Sequence, residues 1–384
     1  MNNAPRTTIR IPNLFQADSP LVTMLFAITA LLVGFGLLMV LSASSVTSGI
    51  NNDGNFLQDA FTQTVGVILG AVLALIISRW PLDIWRRFRN TFIVIGISLQ
   101  AAVLLFGESY GGNKNWIQIG GVSLQPSEFI KLALIVWLAV WIHDNPHHFE
   151  QPLMYWWDKQ LLWIIAPIVL VLAGGDIGTV LIFGLIILGM LVIAGAPARP
   201  LYLLSFTAIL AVILYVVAAP SSRGSRFSIW ITGCTPEDYE GACWQTIHGY
   251  WALGSGGLFG MGAGSSRSKW SWLPHAESDY IFAIIGEEFG LLGAIFLLVV
   301  IVALAVVLVR LMRAYPQPLT RTLIAGVLVW IVGQSLVNIG VVLGVFPVLG
   351  VPLPMVSSGG SAILANLLAI GVVVSCVRYE ERYG

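Results

Sequence analysis

Charge is what this sequence has least of. Asp, Glu, Lys and Arg make up 10% of its 384 residues, where a water-soluble domain carries about 25%. Hydrophobic residues make up 57%, and mean hydropathy is +0.86. So few charges cannot cover so much apolar mass with a soluble surface, which excludes a soluble globular protein and a disordered chain. Cysteine is also scarce: three residues exclude a disulfide scaffold and a cysteine-ligated zinc site. Net charge is absent, because 19 basic residues offset 19 acidic ones, so no global field draws in nucleic acid. No internal repeat is visible, and residues 1–384 read as a single membrane domain.

What the sequence does have is apolar runs, and crossing the hydrocarbon core takes about 20 apolar residues. Leu21–Leu41 is uncharged and too long for a signal-peptide core. Nine more follow: Phe61–Ser78, Thr91–Phe106, Phe129–Ile142, Leu161–Gly175, Ile177–Ala198, Leu201–Pro220, Phe289–Val309, Leu323–Val345 and Ile363–Val377. The fold class is therefore all-α, a polytopic membrane protein of about ten transmembrane helices. The largest polar segment, 221–279, separates helices 7 and 8. An even count places both termini on one side, and basic residues choose which. Arg6, Arg10, Arg79, Arg86, Arg87, Arg89, Lys159, Arg199, Arg310, Arg313, Arg321, Arg378 and Arg382 fall on one face. Only Lys114, Arg223, Arg226, Arg267 and Lys269 fall on the other. Thirteen against five predicts cytoplasmic termini and extracytoplasmic placement of 107–125, 221–279 and 346–361.

Segment 221–279 holds Trp230, Trp244, Trp251, Trp270 and Trp272 with four of the five outer cations. Indoles favour the headgroup level, so a membrane belt accounts for most of them; rings over sugar or lipid, with cations on phosphate, are the sharper reading. Cys234 and Cys243 share this segment, and an oxidising compartment would allow a small disulfide loop. The stretch LGSGGLFGMGAGSS ends in no GK[ST] and follows no strand, so it is neither a P-loop nor a dinucleotide fingerprint. It reads as close helix approach or a hinge, with backbone against a ligand as the alternative.

Ionisable residues inside or beside spans are functional candidates by default. Glu128 and Lys131 lie three apart in QPSEFIKL and share a helix face, where mutual neutralisation is the plainer account. Asp176 interrupts spans 5 and 6 at GGDIGT; Asp279 stands at the outer mouth of span 8, with Glu287 and Glu288 about two turns deeper. His143, His147 and His148 form no metal-binding helical pattern, and no G-x-S-x-G elbow occurs. Ser357 and Ser358 read as loop residues able to cap the last helix.

These residues carry a resemblance. Asn115-Trp116-Ile117 with Gln125-Pro126-Ser127-Glu128 and Lys131 is similar to the RW…QPSE…K block of the SEDS (shape, elongation, division and sporulation) family. Asp176-Ile177-Gly178-Thr179 resembles its PDLGT block, and Arg223-Gly224-Ser225-Arg226 its RxxR pair. Trp244-Gln245 with Ala252 to Gly257 resembles YQ…AIGSGG. Lys269, Leu273-Pro274 and Asp279 to Ala283 resemble K…LPE…TDFIFA, and Pro352-Leu353-Pro354 with Ser357 to Ser361 resembles LPxxSxGGS. Gln334, Asn338 and Gly340 fit span 9 of that family. Asn115 stands where arginine is usual, Gly175 where proline is, and His275 and Glu277 exchange the usual Glu and His. Ala283 to Glu288 is more similar to the division (FtsW) branch than to the elongation (RodA) branch.

The resemblance implies a ten-helix peptidoglycan glycosyltransferase in the bacterial cytoplasmic membrane. It would polymerise lipid II into β-1,4 glycan on the extracytoplasmic side, with inversion, during cell division. It implies Asp279 as the catalytic base, with Arg223, Arg226 and Lys269 holding pyrophosphate and Lys131, Glu128, Gln245 and Ser358 lining the substrate cavity. An aspartate near its ordinary pKa of about 3.9 is a weak base, and partial burial would raise it usefully. No cofactor is implied; a divalent cation bridging pyrophosphate and a carboxylate is compatible, and no residue set fixes a metal. Expected partners are a class B penicillin-binding protein, the FtsQ, FtsL and FtsB division proteins, and membrane lipid, without nucleic acid. The rival functions are a flippase for the same lipid, an elongation-type polymerase and a recruiting scaffold. A flippase needs charge along the whole crossing, whereas these candidates gather in the outer half.

Overall fold

The computed structural model describes residues 19–51, 54–110, 113–119, 122–146, 159–218, 222–235, 238–241 and 243–383. Arg6, Arg10, His147 and His148 lie outside them, as do the side chains of Lys159 and Arg223. The chain runs α1 (Pro20–Asn51), α2 (Gln58–Ile77), α3 (Leu82–Phe106), β1 (Glu108–Tyr110), β2 (Asn113–Ile119), β3 (Val122–Leu124) and α4 (Pro126–Asp144). It continues as α5 (Leu162–Ala173), α6 (Ile177–Ile193), α7 (Ala198–Ala218), α8 (Ser222–Thr232), α9 (Trp244–Gly256), α10 (Ile281–Ala314), α11 (Pro318–Leu328), α12 (Gln334–Val342) and α13 (Gly360–Tyr383).

Among the described residues, eight helical stretches are long and apolar enough to cross a membrane, with α11 and α12 joined through a π turn at Val329–Gly333 as one of them. α5 and α6 are shorter apolar helices. Each of the ten expected apolar runs falls on one of these helices. Local chemistry starts several of them. Pro126 and Pro318 stand in the first turns of α4 and α11, where a missing N–H costs nothing. Asp176 caps α6 by accepting from Thr179 N at 2.8 Å.

Between Lys131 and His143 α4 is apolar all round, and it is buried on almost every side, with Ile130, Leu134, Ile135, Trp137 and Leu138 all closed off. A helix of that kind belongs in the middle of a bundle. α3, α6, α11 and α13 pack around it. α7 does the opposite: Tyr202, Phe206 and Leu214 are exposed along it, as lipid-facing side chains would be. α2 and α13 approach closely through Gly66, Gly70 and Gly371, because lipid gives helices no hydrophobic reason to associate and small residues let backbones touch.

Three features depart from expectation. The strands β1, β2 and β3 form a three-stranded antiparallel sheet in that order, although no strand was expected. The polar segment 221–279 contains helices α8 and α9. α10 begins at Ile281, not Phe289: Glu287 and Glu288 interrupt the apolar run, but both are buried against protein rather than lipid.

Candidate active site

The loops at one end of the bundle converge on Asp279. Ser357 donates to Ser278 O, Ser358 N donates to Glu277 O at 2.8 Å, and Asn338 Nδ2 donates to Asp279 O and to Val351 O, both at 2.7 Å. The segment after α12 is thus laced to the segment before α10. Ser357 caps no helix; it also accepts from Leu353 N at 2.8 Å and braces this loop. Gln63 on α2 grips the same loop from behind, donating to Ser357 O at 3.1 Å and accepting from Gly359 N at 2.9 Å. Gln63 was not singled out from sequence, although a lone buried glutamine in an apolar run was signal enough.

Asp279 itself is partly exposed. Burial of its carboxyl, which disfavours the charged form, lifts its pKa to about 6. His275 and Arg226 oppose that rise, while the carboxylates of Asp176 and Glu277 add to it. Burial raises Glu277 as well. Arg226, on α8, is therefore the cation that the fold brings to Asp279, and it is partly exposed. Arg223 sits three residues earlier on α8, with its side chain outside the described residues. Gln245, on α9, donates to Pro274 O at 3.2 Å and so braces the approach to Asp279.

Lys131 and Glu128 lie deeper in the bundle. Lys131 Nζ meets Glu128 Oε1 at 2.8 Å and Gln334 Oε1 at 2.9 Å, over the Trp330 ring at 5.0 Å. Gln334 passes on to Pro352 O at 2.9 Å. Asp176, within electrostatic reach of both Lys131 and Asp279, accepts from Asn115 Nδ2 at 3.0 Å and from Thr179 Oγ1 at 2.7 Å. Buried oxygens of Ser127, Glu128 (Oε2), Asn115 (Oδ1) and Asn338 (Oδ1) have no protein partner. Such atoms are ordinarily met by water or ligand, so this interior is polar.

Lys269 behaves unlike the expected open cation. It is 5% exposed, and its Nζ meets Gly264 O at 2.7 Å, Ser42 Oγ at 3.1 Å and Glu288 Oε1 at 3.3 Å. An ammonium has three donors, and here each has an acceptor. The glycine stretch also finds a structural account. α10 breaks at Gly290 (φ 66°, ψ −161°), and residues 257–262 lie across the break. Met261 N and Gly262 N donate to Glu287 O and Glu288 O, while Leu291 N and Leu292 N donate to Gly257 O and Leu258 O. A Cβ on Gly260 or Gly290 would strike the facing backbone, and both have positive φ.

Cys234 and Cys243 are disulfide-bonded, at the entrance to α9. Just beyond, Tyr239, Trp244, Trp251 and Trp272 gather around the buried His248, whose Nδ1 lies 2.8 Å from Trp244 O. Trp251, Trp270 and Trp272 remain exposed. Among the described residues, no group of three or more His, Cys, Asp and Glu side chains gathers as a metal site.

Fold and site together define a multi-pass membrane protein that brings a carboxyl, Asp279, and a cation, Arg226, within electrostatic reach of each other just ahead of α10. Residues 22–382 match the FtsW/RodA/SpoVE family, described as "Cell cycle protein", and the chain belongs to that family. It is 33% identical to the probable peptidoglycan glycosyltransferase FtsW of Mycobacterium tuberculosis over 365 residues, covering 93% of this chain and 68% of that one. A chain from a solved peptidoglycan synthase complex that coordinates polymerization and crosslinking superposes with a TM-score of 0.74 at 25% identity, covering 96% of this chain and 99% of that one. The crystal structure of Thermus thermophilus rod shape determining protein RodA gives a TM-score of 0.67 at 25% identity, covering 97% and 100%.

Proposed function

We propose that this chain is a peptidoglycan glycosyltransferase of the division type, polymerising lipid II at the extracytoplasmic face of the cytoplasmic membrane. The observation that carries the reading is Asp279: a carboxyl just ahead of α10, lifted by burial to about 6 and within electrostatic reach of Arg226. A base with a pKa near working pH is an effective proton acceptor that is still largely ionised. In the proposed step Asp279 takes the proton of the acceptor GlcNAc 4-hydroxyl. The hydroxyl oxygen attacks the donor anomeric carbon from the face opposite its leaving group. The bond from that carbon to pyrophosphate breaks, and an α-linked donor gives a β-1,4 bond. Arg226 and Arg223 would stabilise charge on the departing pyrophosphate, a task to which the guanidinium fork is suited. Gln245 and Ser358 would border the sugars, and Glu128 and Lys131 the inner wall.

The proposed partners are a class B penicillin-binding protein and FtsQ, FtsL and FtsB-type division proteins. The test incubates the purified complex with lipid II and compares Asp279→Asn and Asp279→Ala with the parent. Glycan from the parent and none from either folded variant is the expected result. Glycan from all three would place the base elsewhere. A parent complex that makes no glycan but moves lipid II across vesicles would put the flippase reading first.

A further inference from the structure

Lys269 and Glu288 stand nineteen residues apart in the chain, and their ion pair closes a loop of protein around Asp279. Asp279 lies ten residues after Lys269 and nine before Glu288, midway round that loop. One arm is the irregular stretch 270–278, whose Leu273 and Ala276 are buried; the other is the first two turns of α10. The clasp has further strands. Ser42 on α1 donates to Glu288 Oε1 at 2.6 Å and accepts from Lys269. Glu287 accepts from Ser266 Oγ at 2.6 Å and from Arg267 N at 3.0 Å. Residues 266–269 are therefore pinned to 287–288 by both carboxylates, with α1 as a third support.

From this closure we infer that Lys269 and Glu288 are a positioning pair for Asp279, and that Lys269 holds the loop rather than substrate phosphate. The inference rests on the reading of Asp279 as the base. Two facts carry it. Every Lys269 donor is already engaged inside the protein, so binding phosphate would mean abandoning Glu288 in a site where its second carboxyl oxygen already lacks a partner. The loop's fastenings next to Asp279, through Ser278, Glu277 and the Asp279 carbonyl, attach on the α12–α13 side, and Gln245 and Trp244 on α9 hold Pro274 O and Trp272 O further back. The clasp supplies the opposing hold on the α1 side. A base that lost this hold would gain freedom to move, and misplacement of about 1 Å can cost about 100-fold in rate.

The prediction separates positioning from phosphate binding by rescue. Breaking a buried pair leaves one charge alone, whereas removing both charges need not harm the fold. In the complex with its transpeptidase, Lys269→Met and Glu288→Leu should each lower kcat for lipid II polymerisation about 100-fold, with KM changed less than about twofold. The double variant Lys269→Met with Glu288→Leu should regain at least about tenfold over either single change. A raised KM with kcat kept in Lys269→Met, and a double variant no better than that single change, would overturn the inference and return Lys269 to the phosphate site. Hydrogen exchange of amides 270–280 gives a readout that needs no activity: faster in each single variant, restored in the double. Unchanged exchange in the singles would equally overturn it. Should the single variants not fold, Ser42→Ala removes one strand of the clasp, and kcat and exchange both unmoved by it would count against the pair. A parent complex that makes no glycan defeats the function reading, while the exchange experiment still judges the clasp.

Discussion

Among the described residues, two buried lysine–glutamate pairs lie in this bundle, and they differ in reach. Lys131 and Glu128 are three residues apart on one turn of α4, 2.8 Å from each other. Lys269 and Glu288 are 3.3 Å from each other and join an irregular loop to the second turn of α10, with α1 as witness. The first pair is a local product of helix geometry, which puts positions i and i+3 on one face. The second exists only because a glycine-rich strap lies across a broken helix and delivers Lys269 to it. A local pair can line a cavity without ordering anything else. A pair between distant segments constrains every residue in between, and Asp279 is one of them.

The sharpest way to break this contrast is to compare Lys131→Met with Lys269→Met in stability. Each leaves a carboxylate buried alone, for which about 3–5 kcal/mol is typical. Thermal unfolding in detergent should show the larger loss for Lys131→Met. Glu128 there loses its one side-chain contact, whereas Glu288 retains Ser42 and Ser266 N. Equal losses would erase the distinction. Gly260→Ala tests the strap itself. A positive φ and a facing backbone at Glu288 predict a cost of at least about 1–3 kcal/mol, read in the same melts. It should also slow polymerisation, because the strap delivers Lys269.

An effect of comparable size is expected at Asn115, whose amide donates to the buried Asp176. Asn115→Ala should cost about 1.5–3 kcal/mol, as for a hydrogen bond to a charged group. The pH profile sharpens the reading of Asp279. Burial raises its pKa to about 6, and the basic form is the working one, so the rate should level off above about pH 6 and fall about tenfold per unit below it. A profile flat down to pH 5 would mean that another group takes the proton. The smallest effect belongs to the disulfide. Cys234→Ser with Cys243→Ser opens a short loop at the entrance to α9, distant in the chain from both pairs. Melts should drop by at most about 3 kcal/mol, with polymerisation preserved.

Much of the fold was legible because membrane insertion writes itself into composition. Each expected apolar run became a helix, since a backbone in lipid must satisfy its own hydrogen bonds. The sheet at 108–124 was not legible, because its strands are short and sit beside polar loop residues that fit several conformations. The start of α10 was missed for a related reason: two glutamates end an apolar run in sequence, yet protein rather than lipid surrounds them. At the site, Asp279 and Arg226 stood out as charges at a membrane edge, and the fold placed them together. Lys269 stood out by the same rule, but its partners on α1 and α10 were invisible to it.

By itself, then, the sequence determined the class of protein, the positions of its apolar helices and the i, i+3 pair on α4. These follow from hydropathy and helix periodicity, which act over a few neighbouring residues. Tertiary structure alone decided which cations stay open and which are consumed inside. That outcome depends on what lies within about 3 Å of each donor once distant segments meet. Lys269 and Arg226 look alike along the chain, and only packing makes one a strut and leaves the other within electrostatic reach of Asp279.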